Sequence, residues 1–202
     1  MNPETHLGNY IGNLDSQAPP SDLDLVRQIA RRDANALEEL YQRYHLILYK
    51  FLLRTTQEKS SGEDLLQDLF LGVWEGAARF EGRSSVKTWL FRMAHFKAAE
   101  WLRNGNVQAK NQDVESFESL SDKSETSLES MVFQQWNFSQ IQNAMKQLSP
   151  NHCEVIEYVF LHGLTNAETA QIMGCPIGTV KSRLHVALHQ LNGILSSKGF
   201  KI

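Results

Sequence analysis

Cationic and aromatic side chains alternate between residues 80 and 103. Arg83 and Lys87 stand close to Phe80, and a glycine with two serines gives this segment a loop that can expose backbone and hydroxyl donors. Single-stranded nucleic acid requires such a combination, because cations neutralise phosphates while aromatic rings stack on unpaired bases. The alternative is that the cations only solubilise the surface. The predicted contact set is Phe80, Arg83, Ser84, Ser85, Lys87, Arg92, His95, Phe96 and Lys97.

A second group of polar and basic side chains follows a glycine turn near the C-terminus. Thr165 and Glu168 have the spacing of a capping box for a short helix, and Gly174 ends that helix before a longer one begins beyond Pro176. Helix, turn and helix in this order predict a helix-turn-helix whose second helix enters the major groove of DNA. An ordinary antiparallel helix pair is the alternative. The candidate contacts are Thr179, Lys181, Ser182, Arg183 and His185.

Acidic side chains gather on one face of a third segment. Asp64, Gln67, Asp68 and Glu75 recur at helical spacing, away from a stripe of leucines. Acids near a helix start can be a solvated face that the helix dipole stabilises. The sharper interpretation is a docking surface for a basic partner helix.

These segments lie on helices, and no run alternates polar and apolar residues in the way of a half-buried strand. Helices are predicted from Ser21, from about Asp33, from near Ser61 and from Val86, with Trp89 and Trp101 on an apolar stripe that is expected to be buried. A later helix starts at Ser149 and Pro150, with an apolar face that includes Val155, Ile156, Val159 and Phe160.

The charge distribution divides the chain into blocks. Residues 105–134 hold six acids and two bases among many Ser, Asn and Gln residues, and such a segment cannot bury enough apolar surface to order itself. We therefore predict an all-α protein with two helical domains joined by an acidic flexible linker. The predicted parts are a disordered extension at 1–20, a helical bundle at 21–104, the linker at 105–134 and a helix-turn-helix domain at 135–202.

Composition excludes several classes of protein. The 202 residues carry a net charge of -3 and contain no apolar run of membrane-spanning length, and Met1 to Pro20 does not look like a secretory signal, so we expect a cytoplasmic protein without membrane insertion. A nucleophile with its base, a phosphate-cradling loop and paired metal-ligand motifs are not found, so no enzyme, metal site or cofactor is predicted. A metalloenzyme or redox sensor remains the weaker alternative, built on His152, Cys153, His162, Cys175, His185 and His189.

Three motifs in a fixed order resemble a known family. They are Glu63 to Phe70 with Trp74, Thr88 to Ala94, and Gly178 to Leu184 after Leu148-Ser149-Pro150. Over residues 21 to 196 the chain resembles the extracytoplasmic-function group of bacterial RNA polymerase sigma factors. The resemblance implies a region 2 domain that binds core RNA polymerase and melts the promoter -10 element, a region 4 domain that binds the -35 element, and an anti-sigma factor as a further partner.

The resemblance also assigns roles by position. It puts Asp64, Gln67, Asp68, Phe70 and Trp74 in the polymerase-binding helix, the 80–87 loop at an unstacked -10 base, and Arg92, His95, Phe96 and Lys97 on the helix that faces the -10 DNA.

The chain departs from the family pattern at a few positions. Phe96 stands where the family often has an asparagine, so stacking is expected to replace a hydrogen bond, and Val186 and Leu188 replace residues that are commonly basic. The rival class is a two-domain helix-turn-helix regulator of the response-regulator type that does not replace a sigma factor. Such a regulator would need an α/β domain in front, which the helical pattern of residues 21–104 disfavours.

Overall fold

The computed structural model of the protein describes residues 19–104 and 140–197, and every regular element in those two ranges is helical. The predicted all-α class is therefore confirmed. The extension up to residue 18, the linker at 105–134 and the last five residues lie outside the described part of the chain. Within 19–104 and 140–197, no helix combines the length and the hydrophobicity needed to cross a lipid bilayer.

The first group of helices forms an N-terminal bundle. It contains α1 (Asp22–Ala30), α2 (Ala34–Thr56), α3 (Lys59–Gly76), a 3-10 turn (Ala77–Arg79) and α4 (Val86–Arg103). Leucines from different helices are buried completely at its centre. Burial of one such side chain stabilises the fold by roughly 1.5–3 kcal/mol, so these leucines hold α3 and α4 in fixed positions. They include Leu40, Leu52, Leu69 and Leu90.

Side-chain caps start three of these helices where the sequence predicts. Ser21, Asp33 and Ser85 each accept a hydrogen bond from a backbone N–H in the first turn. Helix α3 begins at Lys59, slightly before the predicted start near Ser61. The reason is local, because the Ser61 hydroxyl donates to the Glu58 carboxylate at 2.6 Å and does not cap the helix.

The second group of helices forms a C-terminal bundle. Its parts are α5 (140–145), α6 (Pro150–Ile156), a π-helical turn (Glu157–Leu161), α7 (Asn166–Met173) and α8 (Ile177–Ser197). Ser149 caps α6, and Thr165 and Glu168 form the predicted capping box at the start of α7. Gly174 has φ 61°, a left-handed conformation that glycine adopts without steric cost, and it makes the turn between α7 and α8.

The π-helical turn changes the predicted apolar face of this bundle. Its wider turn closes with a hydrogen bond from the His162 N–H to the Glu157 carbonyl at 2.9 Å, and it shifts the phase of the side chains that follow α6. Phe160, predicted to be in the core, is therefore 59% exposed, whereas Tyr158 is fully buried. The prediction for Phe160 was wrong because a regular helical period does not anticipate the extra residue in the turn.

The two bundles contact each other. Tyr158, Leu164 and Ile172 of the C-terminal bundle belong to the same buried cluster as the core of the N-terminal bundle. A separate core forms inside the C-terminal bundle, where Val155, Val180 and Ala187 are fully buried.

Candidate nucleic-acid interface

The start of α8 presents the side chains that the sequence selects for duplex DNA. Lys181, Ser182 and His185 are exposed, and their spacing puts them on neighbouring positions of one helix surface. The turn at Gly174 and the hydrogen bond from the Thr179 N–H to the Pro176 carbonyl, at 2.9 Å, fix where this surface begins. A cation and two hydrogen-bonding side chains on an exposed helix start can reach phosphates and base edges in a major groove.

Thr179 and Arg183 are less exposed than Lys181, Ser182 and His185. Both are half-buried, and the Arg183 guanidinium lies 4.0 Å from the Cys175 sulfur in the preceding turn. Farther along α8, Val186 and Leu188 are exposed apolar side chains. This surface of α8 is therefore cationic at its start and apolar in its middle.

One face of α4 forms an open groove, and the aromatic ring of Phe96 lies at its edge. Phe96 is 66% exposed, and Arg92 beside it is also exposed. The ring of Trp89 lies in the groove and is half-buried, and its centroid is 4.8 Å from that of Phe80, with the two rings tilted by 34°. The predicted burial of Trp89 is thus met only in part. The groove is lined by Trp89, Arg92, Met93, Phe96, Lys97 and Glu100.

The loop before α4 contributes a further exposed cation. Gly82 has φ 70°, which favours glycine, and Arg83 next to it projects into solvent beside Glu81 at 2.6 Å. Ser84 is half-buried and Ser85 is committed to capping α4.

The remaining predicted -10 contacts face away from the groove. Lys87 and His95 lie on the side of α4 that packs against the C-terminal bundle, and both are half-buried. The Ser85 hydroxyl also contacts that bundle, at Glu168. The predicted set is therefore divided among the open groove, the exposed loop before α4 and the covered face.

The acidic surface of α3 is formed as predicted from helical spacing. Asp64, Gln67 and Asp68 are exposed on one face, and Asp68 lies 3.9 Å from Lys97 of the groove. Leu71, which the sequence analysis missed, belongs to this face and is 55% exposed. The signal that could have found it is its spacing, because Leu71 follows Asp64, Gln67 and Asp68 by seven, four and three positions.

Two residues that the resemblance assigns to polymerase binding, Phe70 and Trp74, are not fully exposed on the surface of α3. Phe70 is buried in the bundle core and packs edge-on against Tyr41, with 4.9 Å between the rings, so it positions α3 and offers no surface. Trp74 is half-buried beneath Arg32, whose guanidinium lies 5.3 Å from the ring centroid.

The histidines and cysteines that a metal site would need are dispersed. In the described ranges no group of three or more His, Cys, Asp and Glu side chains lies close enough to hold an ion. Burial raises the pKa of the Cys153 thiol, which disfavours the reactive thiolate form.

Two family models match the chain in the order of its bundles. Residues 40–107 match Sigma-70 region 2, and residues 144–192 match Sigma-70, region 4. The ECF RNA polymerase sigma factor SigX of Bacillus subtilis is 32% identical over 161 residues, which cover 75% of this chain and 79% of that protein. The chain belongs to the extracytoplasmic-function (ECF) RNA polymerase sigma factors. The resemblance seen in the sequence is confirmed.

Other relatives and solved structures agree with this family. The RNA polymerase sigma factor YlaC of Bacillus subtilis is 27% identical over 157 residues, covering 78% of this ECF sigma factor and 90% of YlaC. The sigma factor RpoE of Bartonella quintana, solved with the anti-sigma factor NepR, is 26% identical with a TM-score of 0.57 and coverages of 79% and 98%. CnrH, solved with the cytosolic domain of CnrY, has a TM-score of 0.61 at 19% identity, with coverages of 87% and 97%, and supports the fold alone.

Membership gives this ECF sigma factor its general role, which is promoter-specific transcription initiation without catalysis of its own. The rival class, a helix-turn-helix regulator that does not replace a sigma factor, does not account for the region 2 match at residues 40–107. Below, α1 to α4 are called region 2 and α5 to α8 are called region 4.

Proposed function

We propose that region 2 docks on core RNA polymerase through the exposed face of α3 and holds the melted -10 element in the groove of α4. The observation that carries this proposal is the adjacency of the two surfaces. Asp68 on the α3 face lies 3.9 Å from Lys97, which lines the groove. A polymerase segment bound to α3 would thus lie next to the strand that region 2 has to keep open.

The α3 face suits a basic helical partner. Asp64 and Asp68 supply negative charge, Gln67 supplies hydrogen bonds, and exposed Leu71 supplies apolar area among them. Interfaces that combine an apolar centre with surrounding polar groups are typical of specific protein association. This composition supports α3 as the polymerase-binding element.

The groove of α4 suits an unpaired base. The Phe96 ring is free to stack, and the cation of Arg92 next to it is free to contact the phosphate backbone. Stacking of one base on an aromatic side chain contributes about 1–3 kcal/mol, whatever the base. We propose that Phe96 stabilises the open -10 strand by stacking where the family often hydrogen-bonds.

Region 4 then binds the -35 element through the start of α8. Lys181 and His185 are proposed to contact phosphates and base edges, with Ser182 between them. The apolar surface at Val186 and Leu188 makes few phosphate contacts, so duplex binding by region 4 alone is expected to be weak.

An anti-sigma factor is the proposed regulator. RpoE of Bartonella quintana is solved in complex with the anti-sigma factor NepR. We propose that a protein of the same class holds this sigma factor inactive until a signal releases it.

Run-off transcription tests the function as a whole. Core RNA polymerase of the same organism, with and without the purified chain, is incubated with genomic DNA fragments, and the 5′ ends of the transcripts are mapped. We expect new start sites that share -10 and -35 sequences and appear only when both proteins are present. Tight sequence-specific binding by the chain alone, or no initiation by the reconstituted enzyme, would contradict the proposal.

A further inference from the structure

One surface of α4 carries three side chains of different chemistry at intervals of about one helical turn. Arg92, Phe96 and Glu100 follow one another at four positions, so they form a single row with about 5–6 Å between neighbouring Cβ atoms. All three are exposed, and all three line the groove. The row therefore presents a cation, an aromatic ring and a carboxylate, in that order, to the occupant of the groove.

Glu100 is the member of this row that the proposed function leaves without a task. Within residues 19–104 and 140–197 its carboxylate forms no ion pair. Lys97, three positions before it in the same groove, lies 3.9 Å from Asp68 of α3 instead. The Glu100 carboxylate is thus available to a ligand.

The floor of the groove beneath this row includes Met93. Its side chain lies over Gly72 of α3, where a Cβ atom on the glycine would be 3.0 Å from the Met93 Cε atom. A thioether donates no hydrogen bond. The Glu100 carboxylate, seven positions farther along the same face, therefore takes its hydrogen bonds from water or from a molecule in the groove.

The order of groups in the row is the order of groups in a nucleotide. The Arg92 guanidinium suits the phosphate, and the Phe96 ring suits the face of the base. The base edge that lies farthest from the sugar then reaches Glu100. In an unpaired strand this is the Watson–Crick edge, which is open to recognition by side chains.

A carboxylate at this edge favours guanine among the four bases. It only accepts hydrogen bonds, and its two oxygens accept two parallel donors. Guanine offers two adjacent donors there, the N1–H and the N2 amino group. Adenine and cytosine place a ring nitrogen acceptor beside their amino group, and thymine has one N–H between two carbonyl oxygens. Each of these three bases therefore turns an acceptor towards the carboxylate.

We infer that Glu100 selects guanine at the -10 position whose base stacks on Phe96. The inference rests on the proposed -10 role of the groove. An acid beside a phosphate chain repels every sequence, and only a base that donates two hydrogen bonds offsets this repulsion. Glu100 therefore contributes selectivity to the groove, whereas Arg92 and Phe96 contribute affinity.

Initiation from a randomised -10 element tests the selection. The full chain and core RNA polymerase of the same organism transcribe a promoter mapped by run-off, with its -10 positions randomised, and the productive templates are sequenced. The wild type should favour guanine about tenfold at one position of the non-template strand. E100A should lose this preference and keep those at other positions.

The matched control is E38A, which removes an exposed acid of α2 whose described contact, Gln42, lies on the same helix. It should retain every preference of the wild type. Circular dichroism should show the same helix content for all three proteins.

Base analogues on a premelted template identify the contact itself. Mismatches keep the -10 strand unpaired, so the strength of base pairing does not affect the result. Hypoxanthine, which lacks the N2 amino group, should lower wild-type initiation about tenfold relative to guanine, because one hydrogen bond to a charged group is lost. It should not affect E100A. 7-Deazaguanine, which is altered only at the opposite edge of the base, should act like guanine with both proteins.

The outcomes separate this inference from the proposed function. Initiation by the wild type without a guanine preference, or with a preference that E100A retains, would overturn the selection by Glu100 alone. Equal sensitivity of the wild type and E100A to hypoxanthine would overturn it as well. Failure of the wild type to initiate at all would instead refute the proposed function.

Discussion

Phe96 shows how a single side chain can carry the chemistry of a surface. An exposed phenylalanine adds little to folding, because its ring stays in contact with water in the absence of a ligand. Here it stands next to an exposed arginine at the edge of a groove. The same exposure that makes it unimportant for the fold makes it available to a base.

We expect F96A to lower initiation about tenfold on promoters that the sigma factor recognises, since the loss of one stacking partner costs on the order of 1–3 kcal/mol. Thermal unfolding should be unchanged. Initiation is measured by run-off transcription with saturating core polymerase. The control is L102A, which removes another exposed apolar side chain from α4, outside the groove. Equal activities for F96A and L102A would refute a stacking role.

At the scale of the element, α3 is a helix with two different tasks. Its leucine stripe and Phe70 are buried against the bundle, whereas Asp64, Asp68 and Leu71 lie on the opposite, exposed face. A charge change on the exposed face therefore leaves the core packing intact.

D64R/D68R should weaken association with core polymerase at least about tenfold, because two attractive charges become repulsive towards a basic partner. The melting temperature should change little. A pull-down with tagged core enzyme measures the association. E38R/E39R on α2 makes the same charge change away from α3, and it should bind core polymerase like the wild type. Unchanged core affinity of D64R/D68R would remove α3 from the interface.

Two glycines near the turn between α7 and α8 allow the effect of backbone conformation to be measured separately from the effect of side-chain packing. Gly174 has φ 61°, whereas Gly178 lies in the first turn of α8, and a Cβ at either position meets nothing within 4 Å. We expect G174A to destabilise the protein by roughly 1 kcal/mol because of its left-handed backbone. G178A should stabilise it by about 0.5–1 kcal/mol, because alanine favours helix. Urea unfolding followed by circular dichroism measures both. Similar effects of the two substitutions would contradict this explanation.

At the scale of the whole molecule, the contact between the domains contains a histidine whose pKa makes the contact depend on pH. Burial against Phe91, together with the cations Arg54 and Lys87, lowers the pKa of His162 from 6.5 to about 4. Hydrogen bonds, first of all from the Thr165 N–H, lower the pKa of Glu168, so that carboxylate stays charged over most of this range. His162 therefore binds fewer protons while the two domains are in contact than it does when they are apart.

Acidification should separate the two domains. The contribution of neutral His162 to the free energy of contact between the domains is fully present above pH 6.5. It falls as the pH drops towards 4, by up to about 1.4 kcal/mol per pH unit. Small-angle X-ray scattering at pH 7.5 and pH 5.5 should show a larger radius of gyration at the lower value. H162Q should reduce this pH dependence, whereas H185Q, which changes an exposed histidine of α8, should preserve it. A wild-type radius that does not change with pH would contradict the titration.

Local signals in the sequence were sufficient for the individual elements. Ser21, Asp33, Ser85 and the Thr165–Glu168 pair start helices because caps act within one turn, and Gly174 ends α7 because only nearby backbone geometry decides that conformation. Ordered motifs were also sufficient to indicate the family. These features depend on neighbours in the chain, so the order of residues determines them.

The division of α4 into an open groove and a covered face could not be read from spacing. Phe96 and His95 are adjacent in the sequence, yet one is exposed and the other contacts Tyr158, which follows α6. The pairing of Arg54 with Glu157 and the contacts of Glu168 beyond its capping box likewise depend on which surfaces meet. Those contacts join residues more than 60 positions apart, and only the packing of the two bundles brings them together.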